Sequence, residues 1–331
     1  TMKPVCLVAF LWVFLLLLVA PRASAQWRQD VQDIMGTRVH AEIWEPDPAR
    51  GERLLAMVMA EMRRIEAAFS PYLERSELSL LNRQAPGGWV EIASELCDLL
   101  EKSRSVWELT GGAFDVTYAS VGRYYDYRAG ERPPDELLKQ ALEAIDYRYV
   151  ELDPEHRRVR YTRPEVYVDL GGIAKGYAVD RAIDLLLDAG VAQASVSAGG
   201  DSRILGDRRG EPWNVGVRDP RREGVMAVML PLLDTAVSTS GDYERYFETD
   251  GVRYHHILDP ATGDSARNTW SVTILGAEAT LTDALSTSVF VLGPEQGIAL
   301  IDTLPGIDAI VIDAQGTLRY SADLTPLTAS P

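Results

Sequence analysis

Three stretches of this sequence carry side chains whose types and spacing suit chemistry as well as packing. The first runs Asp169-Leu170-Gly171-Gly172-Ile173-Ala174-Lys175-Gly176-Tyr177-Ala178-Val179-Asp180. An apolar run from Val166 to Leu170, read as a strand, enters two glycines and then a helical pattern with Ala174, Ala178, Ala182 and Leu185 as its inner stripe. Glycines at such a turn let backbone amides approach a phosphate, and the helix dipole favours the anion. Lys175 falls in the first helical turn, a place that disfavours a cation unless an anion lies close. The pattern is neither G-x-G-x-x-G nor a Walker A loop, which needs Gly-Lys followed by Ser or Thr. Taken alone it fits a phosphate cradle and a plain tight turn equally well.

The second stretch is Thr282-Asp283-Ala284-Leu285-Ser286-Thr287. Residues four apart on a helix share a side, so Asp283 and Thr287 would present a carboxylate and a hydroxyl together. With a spare carbonyl they make a hard-oxygen set suited to Mg²⁺ or Ca²⁺. The blander alternative, and on its own the more common one, is a solvated Asp beside a Thr bonded back to its own helix. The third stretch is Ser238-Thr239-Ser240-Gly241-Asp242-Tyr243, followed by a hairpin ending in Tyr254-His255-His256-Ile257-Leu258-Asp259-Pro260. Adjacent residues of a strand face opposite ways, so at most one of the two histidines serves a given site. No Cys or Glu stands at zinc-ligand spacing beside them. The hydroxyls of Ser238, Thr239 and Ser240 either meet a ligand or satisfy a turn. Met35-Gly36-Thr37, Phe69-Ser70-Pro71-Tyr72 and Gly112-Ala113-Phe114-Asp115-Val116-Thr117 read individually as core or loop, with Tyr72 able to stack on a ring and Asp115 able to accept from a ring or ribose donor.

Helical periodicity places one helix along Leu55, Val58, Met62, Ile65 and Phe69, and a second from an N-cap at Ser94 to the Gly111-Gly112 stop. Others are expected from Pro134-Asp135 to Ile145, near Leu281 to Leu292, and near Glu295 to Leu304. Strands are expected at Tyr147 to Leu152, Val159 to Thr162, Gln193 to Ser197, Ser271 to Leu275 and Ala309 to Ile312. Asp250-Gly251 between Tyr246–Thr249 and Val252–Ile257 is the strongest short-range hairpin signal. Charged and apolar residues mix throughout without a repeat, so one compact α/β unit with α+β character is expected over residues 26–320, with a loose tail at 321–331.

Of 331 residues, 46% are hydrophobic and 25% charged, an ordinary soluble composition. The formal net charge of -16 offers no basic patch for a nucleic-acid backbone. Residues 1–25 differ: Lys3 precedes an apolar run from Leu7 to Ala20, and Ala23-Ser24-Ala25 forms a small-x-small cleavage site. That reads as a secretory signal peptide, the run being short for a membrane span. Cys6 precedes the apolar run and is no lipoprotein cysteine, leaving Cys97 as a small core residue without a disulfide partner after cleavage.

Taken in order, Met35-Gly36-Thr37, Phe69-Ser70-Pro71-Tyr72 with Ser76-Glu77-Leu78-Ser79, Gly112 to Asp115, Asp169 to Asp180, Ser197-Ala198-Gly199-Gly200-Asp201, Trp213 to Val217, Thr239-Ser240-Gly241-Asp242-Tyr243, His256 to Pro260 and Asp283 to Thr287 closely resemble the FAD:protein FMN transferases of the ApbE family. The resemblance spans about residues 33 to 313. It implies a single two-lobed domain with FAD in a cleft between the lobes. By position, Met35, Tyr72, Ala113, Phe114, Asp115, Asp169, Lys175 and Ile257 would contact FAD, while the Gly172 carbonyl, Asp283 and Thr287 would hold Mg²⁺. The family often carries Ala or Ser where Gly172 stands, a change that a backbone ligand tolerates. The implied reaction moves FMN from FAD to a Thr or Ser hydroxyl of an acceptor protein, releasing AMP, with His256 as the preferred base and Asp283 on the metal. The implied acceptor is a membrane-associated redox subunit, and the signal peptide without a lipobox implies a soluble periplasmic enzyme. Rival readings are hydrolysis of FAD to FMN and AMP, flavin binding without catalysis, and an oxidoreductase, the last disfavoured by the missing G-x-G-x-x-G.

Overall fold

The structure is a computed structural model that describes residues 26–324; the leader at 1–25 and the end of the tail, 325–331, lie outside the described residues. Its centre is an eight-stranded sheet whose neighbours, in spatial order, are Gln26–Ile34, Thr37–Glu45, Ala194–Ala198, Asp201–Leu205, Ala236–Gly241, Thr269–Gly276, Asp308–Asp313 and Leu318–Tyr320. Every adjacent pair is antiparallel. The mixed fold is therefore of the α+β kind, with helices laid on an antiparallel sheet. Thr37–Glu45 and Ala194–Ala198 alternate buried with half-exposed residues, the period-two signature of a sheet buried on one face. Thr269–Gly276, by contrast, is buried almost throughout.

Helices Pro48–Phe69 and Ala174–Asp188 pack against one half of the sheet, and Ala279–Leu292 against strands Ala236–Gly241 and Thr269–Gly276. The first begins at Asp47, whose carboxylate accepts from the Ala49 and Arg50 amides ahead of Pro48. Leu55, Val58, Met62, Ile65 and Phe69 of that helix are buried as their spacing requires, and Cys97 is buried with a free thiol. The second helix covers Ser94–Leu109, but Ser94 is its first residue and Ala93 the cap, with no side-chain capping bond. In Ala174–Asp188 the inner stripe continues through Ile183 and Leu186, while Leu185 is only half-buried.

Several strand expectations change. Val166 to Leu170 forms no strand and joins no ladder: Asn82 bonds both the N–H (2.9 Å) and the C=O (2.8 Å) of Val168, Tyr167 N donates to Ser120 Oγ, and Asp169 N donates to the Val116 carbonyl. Side chains here replace a neighbouring strand, as buried backbone groups must find partners somewhere. Tyr147–Tyr149 is a 3₁₀ turn, and the strand after it, Val150–Asp153, belongs to a small sheet with Arg158–Tyr161 and Val90–Glu91. The Tyr246–Thr249/Val252–His255 hairpin forms as expected, with φ of 51° at Asp250 and 75° at Gly251, and its second strand ends at His255, short of Ile257. Among the described residues, no helix is long and apolar enough to cross a membrane.

Candidate active site

One cavity of about 550 Å³ collects all twelve residues singled out above: Met35, Tyr72, Ala113, Phe114, Asp115, Asp169, Gly172, Lys175, His256, Ile257, Asp283 and Thr287. Its walls come from the turn after the first strand, the ends of two helices, the Asp169 segment and the residues flanking the Tyr246–His255 hairpin. Such a volume lies within the range of small-molecule and cofactor pockets.

At its floor, helices Ala174–Asp188 and Ala279–Leu292 meet. A Cβ on Gly176 would lie 2.1 Å from the Ala279 carbonyl oxygen, so only glycine permits this approach. The closeness lets the Gly176 amide donate to Asp283 Oδ2 at 2.9 Å. Among the described residues, the Gly172 carbonyl, four residues earlier, has no hydrogen-bond donor. Gly172 also lies beside Thr287, its Cβ position 3.5 Å from Thr287 Oγ1. The neighbouring hydroxyls of Ser286 and Ser288 bond back to carbonyls of their own helix, whereas Thr287 Oγ1 has no such partner among the described residues and lies 3.4 Å from Ser240 Oγ. The back-bonded alternative for Thr287 is thereby set aside. A carboxylate, a hydroxyl held only by a long bond to Ser240 and an unpartnered carbonyl fit a hard divalent cation such as Mg²⁺. No cluster of three or more His, Cys, Asp and Glu side chains suited to a metal occurs among the described residues, so a cation here relies on this mixed oxygen set.

Lys175 sits over the same floor. Its Nζ lies 2.8 Å from Asp201 Oδ2, 3.4 Å from both Asp283 oxygens and 3.2 Å from the Gly171 carbonyl. Two carboxylates thus supply the anion that a lysine in a first helical turn requires. Burial opposes the ammonium charge, but Asp201 and Asp283 outweigh it and raise the lysine pKa above its ordinary value. Burial and the neighbouring Asp201 carboxylate push Asp283 up to about 7, with Lys175 and the Gly176 amide pulling the other way.

The opposite wall is shaped for a ring system. Met35 and Gly36 form the two-residue turn of the first hairpin with φ of 57° and 67°. A non-glycine residue in this region is strained by roughly 1–3 kcal/mol, and such strain gathers at ligand clamps. Glu66 Oε1 holds the turn by accepting from the Met35 amide at 2.8 Å. Tyr72 is 77% exposed at the cavity rim. Its loop is pinned by Ser76 Oγ and Ser79 Oγ, which donate to the Ser70 and Pro71 carbonyls, so the Ser76–Ser79 segment has a physical tie to Tyr72. Phe114 lies against Gly172, 3.2 Å from its Cβ position. Asp115 Oδ1 accepts from the Thr117 amide and hydroxyl and Oδ2 from the Tyr147 amide, so only Oδ2 keeps room for another donor; burial still raises this carboxyl to about 6. Asp169, raised by burial, accepts from the Gly171 amide at 2.6 Å.

The two histidines part as their alternation predicts. His255 turns into the core, 3% exposed, and His256 lines the cavity with its Nδ1 buried and unpartnered. Burial, reinforced by Arg245 and His255, drives the His256 imidazole down to about 3. It is therefore neutral at physiological pH, with a free acceptor lone pair. The hydroxyls of Ser238, Thr239 and Ser240 pair with Thr282, Thr273 and Ser286 at 2.8 Å each, tying sheet to helix and strand to neighbouring strand.

Other important residues carry no short-range signal. Asp180 accepts from the Ala279 and Thr280 amides and the Thr280 hydroxyl, capping from another helix the one that bears Asp283 and Thr287. Asp201 reaches Lys175 because Gly200 lets its strand approach Thr239, where a Cβ would lie 2.4 Å from the Thr239 carbonyl oxygen. Asp201 and Asp180 stood within matched motifs, but only the fold assigns them partners.

This architecture is shared with flavin transferases of known structure. The Vibrio cholerae flavin transferase ApbE is 27% identical and superposes with a TM-score of 0.80 over 89% of this chain and 96% of that one; the Thermotoga maritima ApbE protein is 37% identical with a TM-score of 0.83 over 90% and 98%. The chain belongs to the ApbE family, whose model matches residues 35–311. Relatives named FAD:protein FMN transferase include one from Treponema pallidum, 34% identical over 92% of this chain and 89% of its own, and one from Vibrio cholerae, 32% identical over 81% and 82%.

Proposed function

We propose that this protein transfers FMN from FAD to a hydroxyl of an acceptor protein. The observation that carries the reading is the convergence, in a chain of this family, of the Asp283–Gly172–Thr287 oxygen set, the half-buried Lys175 and a neutral His256 on one cavity. The acceptor oxygen attacks the FMN phosphorus, the bond to the AMP phosphate oxygen breaks, and AMP departs. Reactions of this kind depend on positioning and charge neutralisation. Lys175 and the Gly172 amide offset charge on the pyrophosphate. The His256 imidazole takes the proton of the attacking hydroxyl; the anionic pyrophosphate beside it raises its proton affinity from the low value of the empty cavity. Asp283, Thr287 and the Gly172 carbonyl would hold Mg²⁺, which supplies Lewis-acid polarisation of the phosphoryl oxygens. Met35, Tyr72, Ala113, Phe114, Asp115, Asp169 and Ile257 line the walls for FAD, Asp115 through its remaining lone pair or its backbone.

The apolar leader with its Ala23-Ser24-Ala25 site supports export to the periplasm, and the family resemblance supports a membrane-associated redox subunit as the acceptor. The test is to incubate the protein with FAD, Mg²⁺ and a candidate acceptor and to measure acceptor mass and AMP. One FMN gained per AMP released, lost on Asp283→Ala, is expected. AMP with free FMN and no adduct would make the enzyme a hydrolase, and bound FAD with neither product would make it a carrier.

A further inference from the structure

His255 touches no part of the cavity, yet each polar atom of its ring and backbone is engaged around the residue that does. Ring Nε2 lies 2.7 Å from the Ala266 carbonyl oxygen, and Nδ1 lies 3.3 Å from the Ile257 amide. A carbonyl only accepts and an amide N–H only donates, so the geometry assigns the neutral ring with its proton on Nε2 and its lone pair on Nδ1. The backbone is held as firmly: His255 N donates to Ser265 Oγ at 2.8 Å, Ser265 Oγ donates to the His255 carbonyl at 2.7 Å, and Tyr127 OH donates to that carbonyl at 3.3 Å. The ring edge meets Phe290 at 5.5 Å between centroids and 76° between planes, and Phe290 belongs to the helix of Asp283 and Thr287.

The placement matters because the hairpin ladder ends here. His256 N still donates to the Arg245 carbonyl at 3.1 Å, while Ile257 turns its carbonyl to the Ala266 amide and its own amide to His255 Nδ1. The bend at His256 is therefore closed on its far side by the His255 ring bridging Ala266 and Ile257. We infer that His255 is a positioning residue for the transfer reaction: through its Nδ1 acceptor to the Ile257 amide it sets the bend that aims the His256 imidazole into the cavity. A protonated ring, or the tautomer with its proton on Nδ1, would oppose two donors at Ile257 and release the bend. This inference rests on His256 being the proton acceptor, and the experiment separates the two ideas.

Three substitutions divide the ring's contacts. In His255→Asn the amide oxygen can stand where Nδ1 does, in His255→Gln the amide nitrogen can stand where Nε2 does, and His255→Phe keeps the packing on Phe290 without either bond. Misplacing a reacting group by about 1 Å lowers turnover on the order of 10²-fold. The expected result is that His255→Phe and His255→Gln lower FMN-transfer kcat by about that factor with FAD affinity, read by flavin fluorescence, unchanged, while His255→Asn recovers most of the loss. Each variant is also combined with His256→Ala. If His255 acts through His256, the double variants transfer no more slowly than His256→Ala alone. Additive losses, or equal losses in all three His255 variants in step with thermal stability, would overturn the inference and leave His255 as a core residue. If His256→Ala itself transfers at the wild-type rate, the inference also fails, and the assignment of His256 as proton acceptor fails with it. The transferase reading fails separately, if the unsubstituted protein forms no adduct.

Discussion

An imidazole enclosed beside a guanidinium should leave a mark on stability as well as on catalysis. His256 is held near 3 in the folded protein against an ordinary 6.5, so above pH 6.5 it is neutral in folded and unfolded chains alike and its contribution is complete. As pH falls toward 3, the unfolded chain takes up a proton that the folded one refuses, and stability drops by about 1.4 kcal/mol per pH unit for this one group. In flavin-free, metal-free protein, the stability difference between wild type and His256→Asn should be flat above pH 6.5 and shift against the wild type between 6.5 and 5. Chemical denaturation across that range reads it directly. A difference that stays flat throughout would mean the ring is solvated, and would remove the argument for a neutral proton acceptor.

Elements place these side chains through a few contacts with outsized effect. Asn82 stands in for a missing strand, bonding the N–H and C=O of Val168 and accepting from Tyr161 OH at 2.9 Å. Asn82→Ala leaves three buried partners unsatisfied, each worth about 1 kcal/mol or more, and is expected to destabilise the protein by roughly 3 kcal/mol and to weaken FAD binding through Asp169. Thermal unfolding and flavin titration would show it; unchanged stability would mean that water replaces the amide. Gly176→Ala acts at the helix crossing. With a Cβ position 2.1 Å from backbone at Ala279, the helices must part, at about 1–3 kcal/mol, and Asp283 moves with them. Loss of transfer greater than the loss of stability explains is the expected outcome, read by comparing kcat with the unfolding midpoint. A fully active Gly176→Ala enzyme would show the close approach to be dispensable.

At the scale of the whole molecule, folding and chemistry draw on different resources. The main core joins helices Pro48–Phe69, Ser94–Leu109 and Ala174–Asp188 to the sheet, and a second core joins Ala279–Leu292 to Thr269–Gly276 and Asp308–Asp313; both are apolar. A cation at the Asp283 set would add stability only by its binding equilibrium. Chelation with EDTA is therefore expected to abolish FMN transfer while leaving circular dichroism unchanged and the thermal midpoint close to that of the metal-loaded protein. Collapse of the fold on chelation would instead make the cation structural.

Local pattern was enough for the helix stripe ending at Phe69, the Asp250-Gly251 hairpin, the parting of His255 from His256 and the pairing of Asp283 with Thr287, because each follows from a period or a turn preference acting within a few residues. The joint order of motifs was enough for the family. What the chain could not show locally is decided by contacts distant in sequence. Val166 to Leu170 has the composition of a strand, but Asn82, far upstream, satisfies its backbone instead. Lys175 in a first helical turn calls for an anion, and only the tertiary structure shows Asp201 and Asp283 set against it. Thr287 could have bonded to its own helix, and only the tertiary structure shows its hydroxyl turned to Ser240 and set beside Gly172. Periodicity is a property of neighbours along the chain; the satisfaction of a buried polar group depends on what the rest of the fold brings to it.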